Sequence, residues 1–191
     1  MTETPDSDST SALRATAHPL RLRILSLLTG TELSAAEVAR ELGITHANAS
    51  YHLRVLAKAG EVVEAGEETI RGGVAKKYRH PWELGEKPVR TDPEAREQYL
   101  RAMGTELVRR SRLRRPGAPT LTADAEMWVS TEVRDEVLDL VTRASKIIHA
   151  EAQPPHTPGT VHVNLTLAVF EMADPPAPGQ EPRENGKDIE R

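Results

Sequence analysis

The chain has 191 residues, enough for one ordinary domain or a small domain with an appendage. Charged residues make up 28% and mean hydropathy is -0.50, and no apolar run approaches the roughly 20 residues that a membrane helix needs. There is no cysteine, which excludes disulfides, thiolate catalysis and thiolate metal sites together. Residues 1–11 are acidic and polar and lack the basic region and apolar stretch of an export signal, so a cytoplasmic location is expected.

The net charge of -4 is unevenly spread. Residues 1–10 carry three acids and no base. Residues 11–115 hold 19 Lys/Arg against 13 Asp/Glu, whereas residues 116–191 hold 6 against 13. A basic first half joined to an acidic second half is the asymmetry expected when only one part meets a polyanion.

In chain order, residues 1–10 and 173–191 are polar or rich in proline and glycine, and are expected to be disordered. A short helix is predicted over 11–17. Pro19 suits the first position of a second helix, in which Leu20, Ile24, Leu27 and Leu28 fall at helical spacing. Ser34-Ala35-Ala36-Glu37 is a capping box, opening a helix that stops at Gly43. Thr45 caps the next helix, which reaches Ala59 and stops at Gly60.

Residues 61–71 and 74–80 then predict two strands joined by Gly72-Gly73, a dipeptide suited to a tight hairpin. Another helix is predicted from Thr91-Asp92-Pro93 to about Arg115, where prolines break it. A strand over 122–129 and a helix over 131–152, capped by Ser130, follow. Val161, Val163, Leu165, Leu167 and Val169 alternate with His162, Asn164, Thr166, Ala168 and Phe170, a period of two that predicts a strand. The fold class expected is mainly α with a β-hairpin wing, followed by a dimerisation helix and a small α+β segment at 120–172.

Two short helices joined through Gly43-Ile44 form the unit of a helix-turn-helix. Val38, Ala39 and Leu42 give the first an apolar stripe, and Ala49, Leu53 and Leu56 give the second a matching one. On the second helix Ala47, Asn48, Tyr51, Arg54 and Val55 then face outward. Asn can bond adenine bidentately and Arg can bond guanine, each pair giving about 1–3 kcal/mol of discrimination. Thr45 is suited to a phosphate contact at the helix start. His46 falls near the core side of the helix, so contact there depends on how the first turn is laid down; it and Ser50 complete the candidate DNA-contacting set on this helix. His52 reads as a packed framework residue about as readily as a base reader. Arg71, Lys76 and Lys77 surround the hairpin tip, where neutralising phosphate charge would release counterions.

The run AHPLRLRILSLL (17–28), then LSAAEVARELGITHANASYHLRVLAKAGEVVE (33–64), then a basic glycine-tipped hairpin, resembles the ArsR-type winged helix family of bacterial regulators. The resemblance covers about residues 11–80. Glu61 departs from it, standing where the pattern is usually apolar. It implies a homodimer that binds double-stranded DNA at a pseudo-palindromic operator, with residues 46–59 in the major groove, the hairpin as wing, and repression more than activation as its habit. Metal-sensing members use cysteines, or His and acid clusters on flanking helices. This chain has no cysteine and no histidine over 94–115, so no metal or cofactor is carried over.

Residues 11–90 are thus expected to be the DNA-binding domain and 91–115 the dimerisation helix, with Leu13, Tyr99, Leu100, Met103 and Leu107 as candidate contacts. The dense run of arginine from 109 to 115 either touches flanking phosphates or solubilises the helix. Segment 120–172 stays open between a module for a small-molecule effector, a second dimer surface and a packing cap; Trp128 and Phe170 are candidates to line a pocket there. The competing readings are a winged helix used for protein–protein contact and an enzyme. The second has no nucleophile–base pair, phosphate loop or metal signature behind it.

Overall fold

The computed structural model describes residues 12–70, 73–84 and 92–173. The ends expected to be disordered at 1–10 and 173–191, all but Ala173, and the hairpin tip with Arg71 lie outside the described residues. The elements in order are α1, helical over 12–16, α2 (Pro19–Leu28), β1 (Leu33–Ser34), α3 (Ala35–Leu42), α4 (His46–Lys58), β2 (Val63–Ile70), β3 (Gly73–Arg79), a 3-10 turn (Trp82–Leu84), α5 (Pro93–Ser111) and α6 (Thr131–Ala150). The protein is mainly helical, with a helix-turn-helix followed by a β-hairpin wing.

Local chemistry sets the helix ends. The His18 ring Nδ1 accepts from Leu20 N–H at 3.1 Å ahead of Pro19 at the first position of α2. At α3 the capping box closes in both directions: Glu37 N–H reaches Ser34 Oγ at 3.4 Å, and Ser34 N–H reaches the Glu37 carboxylate at 2.8 Å. Gly43 ends α3 at φ 65, a left-handed conformation costly for a residue with a Cβ, and its turn aims α4 across α3.

The core lies where α2, α3 and α4 converge. Ile24, Leu28, Val38, Ala49, Leu53 and Leu56 are fully buried there, with Val62 closing the base of the wing. Leu53→Ala or Leu56→Ala at such a site removes on the order of 2–5 kcal/mol.

The sheet is antiparallel in the order β1-β3-β2. Strand β2 pairs with β3 from Val63↔Arg79 to Ile70↔Gly73, with a bulge between Glu64 and Gly66. The sequence reading omitted β1, whose two residues pair with Tyr78 and Lys77 and tie the wing to the start of α3.

Two sequence expectations need correction. Neither the strand predicted over 122–129 nor the one over 161–169 is a strand; α6 is the sole regular element described between 112 and 173. Alternation decides which side chains would share a face, but a strand exists only beside a hydrogen-bonded neighbour. Among the described residues no backbone group of either segment has a backbone hydrogen-bond partner. Trp128 and Phe170 do not meet in a pocket: Trp128 is 80% exposed, while Phe170 and Val169 lie over Arg134, Asp135 and Leu138 in an open depression. No described helix is long and apolar enough to cross a membrane.

Helix α5 packs against α2 through Ala95, Ala102 and Glu106, all buried. The far end of α6 returns to the winged domain. There the His149 ring lies 5.6 Å from that of Trp82, and the chain at Ala152–Gln153 passes directly over Gly30.

Candidate nucleic-acid interface

Packing of α4 on α3 decides what α4 has left to offer. Ala49, His52, Leu53 and Leu56 are turned inward, so His46, Ala47, Asn48, Tyr51, Arg54 and Lys58 are left exposed. Ser50 and Val55 are half-buried at the edges of that face. At 100° per residue, Ala47, Tyr51, Arg54 and Lys58 form one stripe, with Asn48 beside it. Among the described residues the Asn48 amide and the Tyr51 phenol make no hydrogen bond within the chain. Arg54 Nε donates to Ser50 O at 3.2 Å, a bond that steers the guanidinium along the helix. The sequence reading missed Lys58, although the same helical arithmetic places it within the stripe.

The helix start is equally open. Thr45 Oγ1 accepts from Asn48 N–H at 3.2 Å, which leaves the threonine hydroxyl proton and the remaining first-turn amides directed outward. His46, at the first position of α4, is exposed and not on the core side.

His52 is a framework residue. It is only 6% exposed, its ring lies 4.9 Å from that of His18, and Tyr51 meets it edge-on at 5.1 Å. Burial holds both imidazoles below their ordinary range, helped by the Arg21 charge beside them. Burial also lowers the Arg21 guanidinium, while neighbouring Tyr51 opposes that shift. This places a cation beside the exposed face of α4 that periodicity alone did not single out. Its half-buried position on α2 shows only when α2 and α4 are packed together.

The wing is more balanced in charge than its lysines suggest. Lys76 Nζ bonds Glu64 at 2.8 Å and Lys77 Nζ lies 3.3 Å from Glu68. The Glu64 hydrogen bond raises the Lys76 ammonium above its ordinary value. As neighbours on β3 the two lysines point to opposite faces, so one wing face carries only one of them. Lys76 is the exposed member.

The candidate dimerisation residues separate into two groups. Tyr99 and Met103 are half-buried, at the margin of the α5 face that packs on α2, and Leu13 is half-buried on α1. Leu100 and Leu107 face outward, with Gly104 and Val108 along the same side. Arg109 and Arg110 both bond the buried Glu106 carboxylate, at 2.8 and 3.4 Å, which commits two of the arginines closing this helix to its own interior. Among the described residues no group of three or more His, Asp or Glu is placed to hold a metal ion.

An exposed, capped helix set across a second helix, with a hairpin behind it, defines the class: a winged helix-turn-helix. Residues 16–63 match the family model of a helix-turn-helix domain, which is a DNA-binding unit. That span runs from the end of α1 through α4 to the first residue of the wing. None of the curated proteins compared with the chain matches it.

Proposed function

We propose that this chain is a sequence-specific transcription regulator of the ArsR type that binds double-stranded DNA as a cytoplasmic homodimer on a pseudo-palindromic operator, acting as a repressor. The observation that carries the reading is the free face of α4: Asn48, Tyr51, Arg54 and Lys58 exposed together on a helix whose opposite face is buried. Asn48 and Arg54 supply bidentate base readers. Lys58, Arg21 and the amides behind Thr45 supply phosphate contacts. Lys76 and Arg71 extend the footprint along the backbone, with Lys76 exchanging Glu64 for a phosphate. Leu100 and Leu107 are offered to the second subunit, since reading two half-sites requires two-fold symmetry.

The ion-paired wing lysines favour one competing reading, a winged helix that contacts another protein. Selection of bound duplexes from a random pool separates the two. The expected result is an enriched inverted repeat whose half-sites lie one helical turn, about 34–36 Å, apart. Recovery of unrelated sequences, with affinity indifferent to salt, would overturn the DNA reading.

A further inference from the structure

Residues 121–172 contain far more uncovered apolar surface than the winged domain. No residue of α6 is buried, and Val133, Val137, Leu140 and Ile147 stand exposed on it. After the loop at 151–160 the chain runs back beside α6, held by Arg134 to Glu171 at 2.8 Å and by Arg110 to Asn164 at 3.1 Å. Along this return, Val161, Val163, Leu165, Leu167 and Val169 remain between 37% and 74% exposed. Among the described residues the backbone of 161–173 has no hydrogen-bond partner. Alternating apolar backbone without hydrogen-bond partners is free to pair with a strand of another chain, and natural proteins otherwise pair or cover such backbone.

The sequence of this edge indicates what pairs with it. Read outward from Leu165, its neighbours are Asn164 and Thr166, then Val163 and Leu167, then His162 and Ala168, then Val161 and Val169. Laid antiparallel on a copy of itself about Leu165, the segment sets Val161 opposite Val169, Val163 opposite Leu167 and Asn164 opposite Thr166. Apolar meets apolar on one face at every step, and Leu165 meets its own copy on the two-fold axis. The segment contains no Asp, Glu, Lys or Arg, so the symmetry opposes no like charges.

We infer that residues 161–169 form an antiparallel ladder with the same residues of a second copy, centred on Leu165, so that the C-terminal segment joins two subunits. The inference rests on the homodimer proposed above and assigns part of its interface to a place outside α5. The ladder completes the strand that alternation predicts and one chain alone cannot form.

The absence of native cysteine makes the register directly testable by single-cysteine oxidation in the full chain. Residues opposed across an antiparallel ladder have Cα atoms about 4.5–5.5 Å apart, inside the range that a disulfide bridges. Leu165→Cys should give a reductant-sensitive covalent dimer. Val161→Cys alone should not, because its two copies would be eight residues out of register. An equimolar mixture of Val161→Cys and Val169→Cys should again give the covalent dimer. Leu165→Lys, which opposes two like charges, should shift the protein to monomer in sedimentation while the helical far-UV circular dichroism signal is retained. A dimer that leaves Leu165→Cys uncrosslinked, or that crosslinks Val161→Cys by itself, overturns the ladder and leaves the homodimer reading standing. A wild-type protein that sediments as a monomer with and without duplex overturns both.

Discussion

The imidazole rings of His18 and His52 lie 4.9 Å apart, joining the N-cap of α2 to the inner face of α4. His18 Nδ1 accepts the Leu20 amide, so that nitrogen must stay unprotonated for the cap to persist. Burial, the largest cause in both cases, holds both residues below the ordinary histidine value of 6.5, with Arg21 adding to it. A lowered folded-state value means that folding favours the neutral rings. Their contribution to stability is complete above about pH 6.5 and is lost as the pH falls below it. The thermal midpoint should therefore drop between pH 7.5 and pH 5, with a smaller drop in His52→Gln. His80, also lowered mainly by burial, adds a change of the same sign that the variant retains. Parallel pH profiles for wild type and variant would remove the pair from this role.

Gly30 sits under the chain that follows α6. A Cβ there would stand 2.9 Å from both Ala152 C and Gln153 O, backbone atoms that cannot swing aside as a side-chain end can. Gly30→Ala should push the end of α6 off the winged domain and cost about 1–3 kcal/mol, the usual range for overpacking. The Trp82–His149 contact reports the event directly. In a Trp128→Phe background, Trp82 emission should shift in Gly30→Ala while the α3 and α4 amides keep their exchange protection. Unchanged emission would show that the contact survives the added methyl.

The helix-turn-helix was legible in the sequence because its signals are local. The capping box at Ser34, the left-handed Gly43 and the Leu53–Leu56 spacing each act within one or two turns. The strands predicted over 122–129 and 161–169 are not formed, because alternation defines a face and does not name a hydrogen-bonding partner. On α5 the sequence did not show which face α2 covers. Tyr99, Leu100, Met103 and Leu107 share one arc, but the face that α2 covers is centred on Ala95, Ala102 and Glu106. Two small residues and an acid give no hydrophobic signal, so the apolar arc marks the margin of the buried face. On α4 the stripe was legible but incomplete: Lys58 needed only the same arithmetic, whereas Arg21 needed the packing of α2 beside α4.

Glu106 is 3% exposed and is held by Arg109 and Arg110, so its charge is tolerable only while they remain. Removing the partners of a buried ion costs about 3–5 kcal/mol, whereas replacing all of its members by apolar groups is often near neutral. Urea unfolding of Arg109→Ala/Arg110→Ala should show a large loss. Adding Glu106→Leu to that double variant should recover most of it. A further loss on adding Glu106→Leu would mean that the carboxylate is stabilised by something other than its two arginines.

Arg54 and Lys76 should separate recognition from attraction. Arg54 stands in the middle of the reading stripe, while Lys76 is an exposed wing residue already satisfied by Glu64. If Arg54 reads a guanine edge, Arg54→Ala should cost about 1–3 kcal/mol on the selected duplex and relax the preference at one base position. Lys76→Ala should weaken all duplexes alike and reduce the salt slope by about one phosphate's worth. The Glu64 pairing supplies a further check, because Glu64→Gln frees the Lys76 ammonium without removing it. Affinity for any duplex should then rise, most visibly at low salt. An Arg54→Ala variant that loses affinity uniformly and keeps its sequence preference would move recognition away from the centre of α4, towards Asn48 at its start.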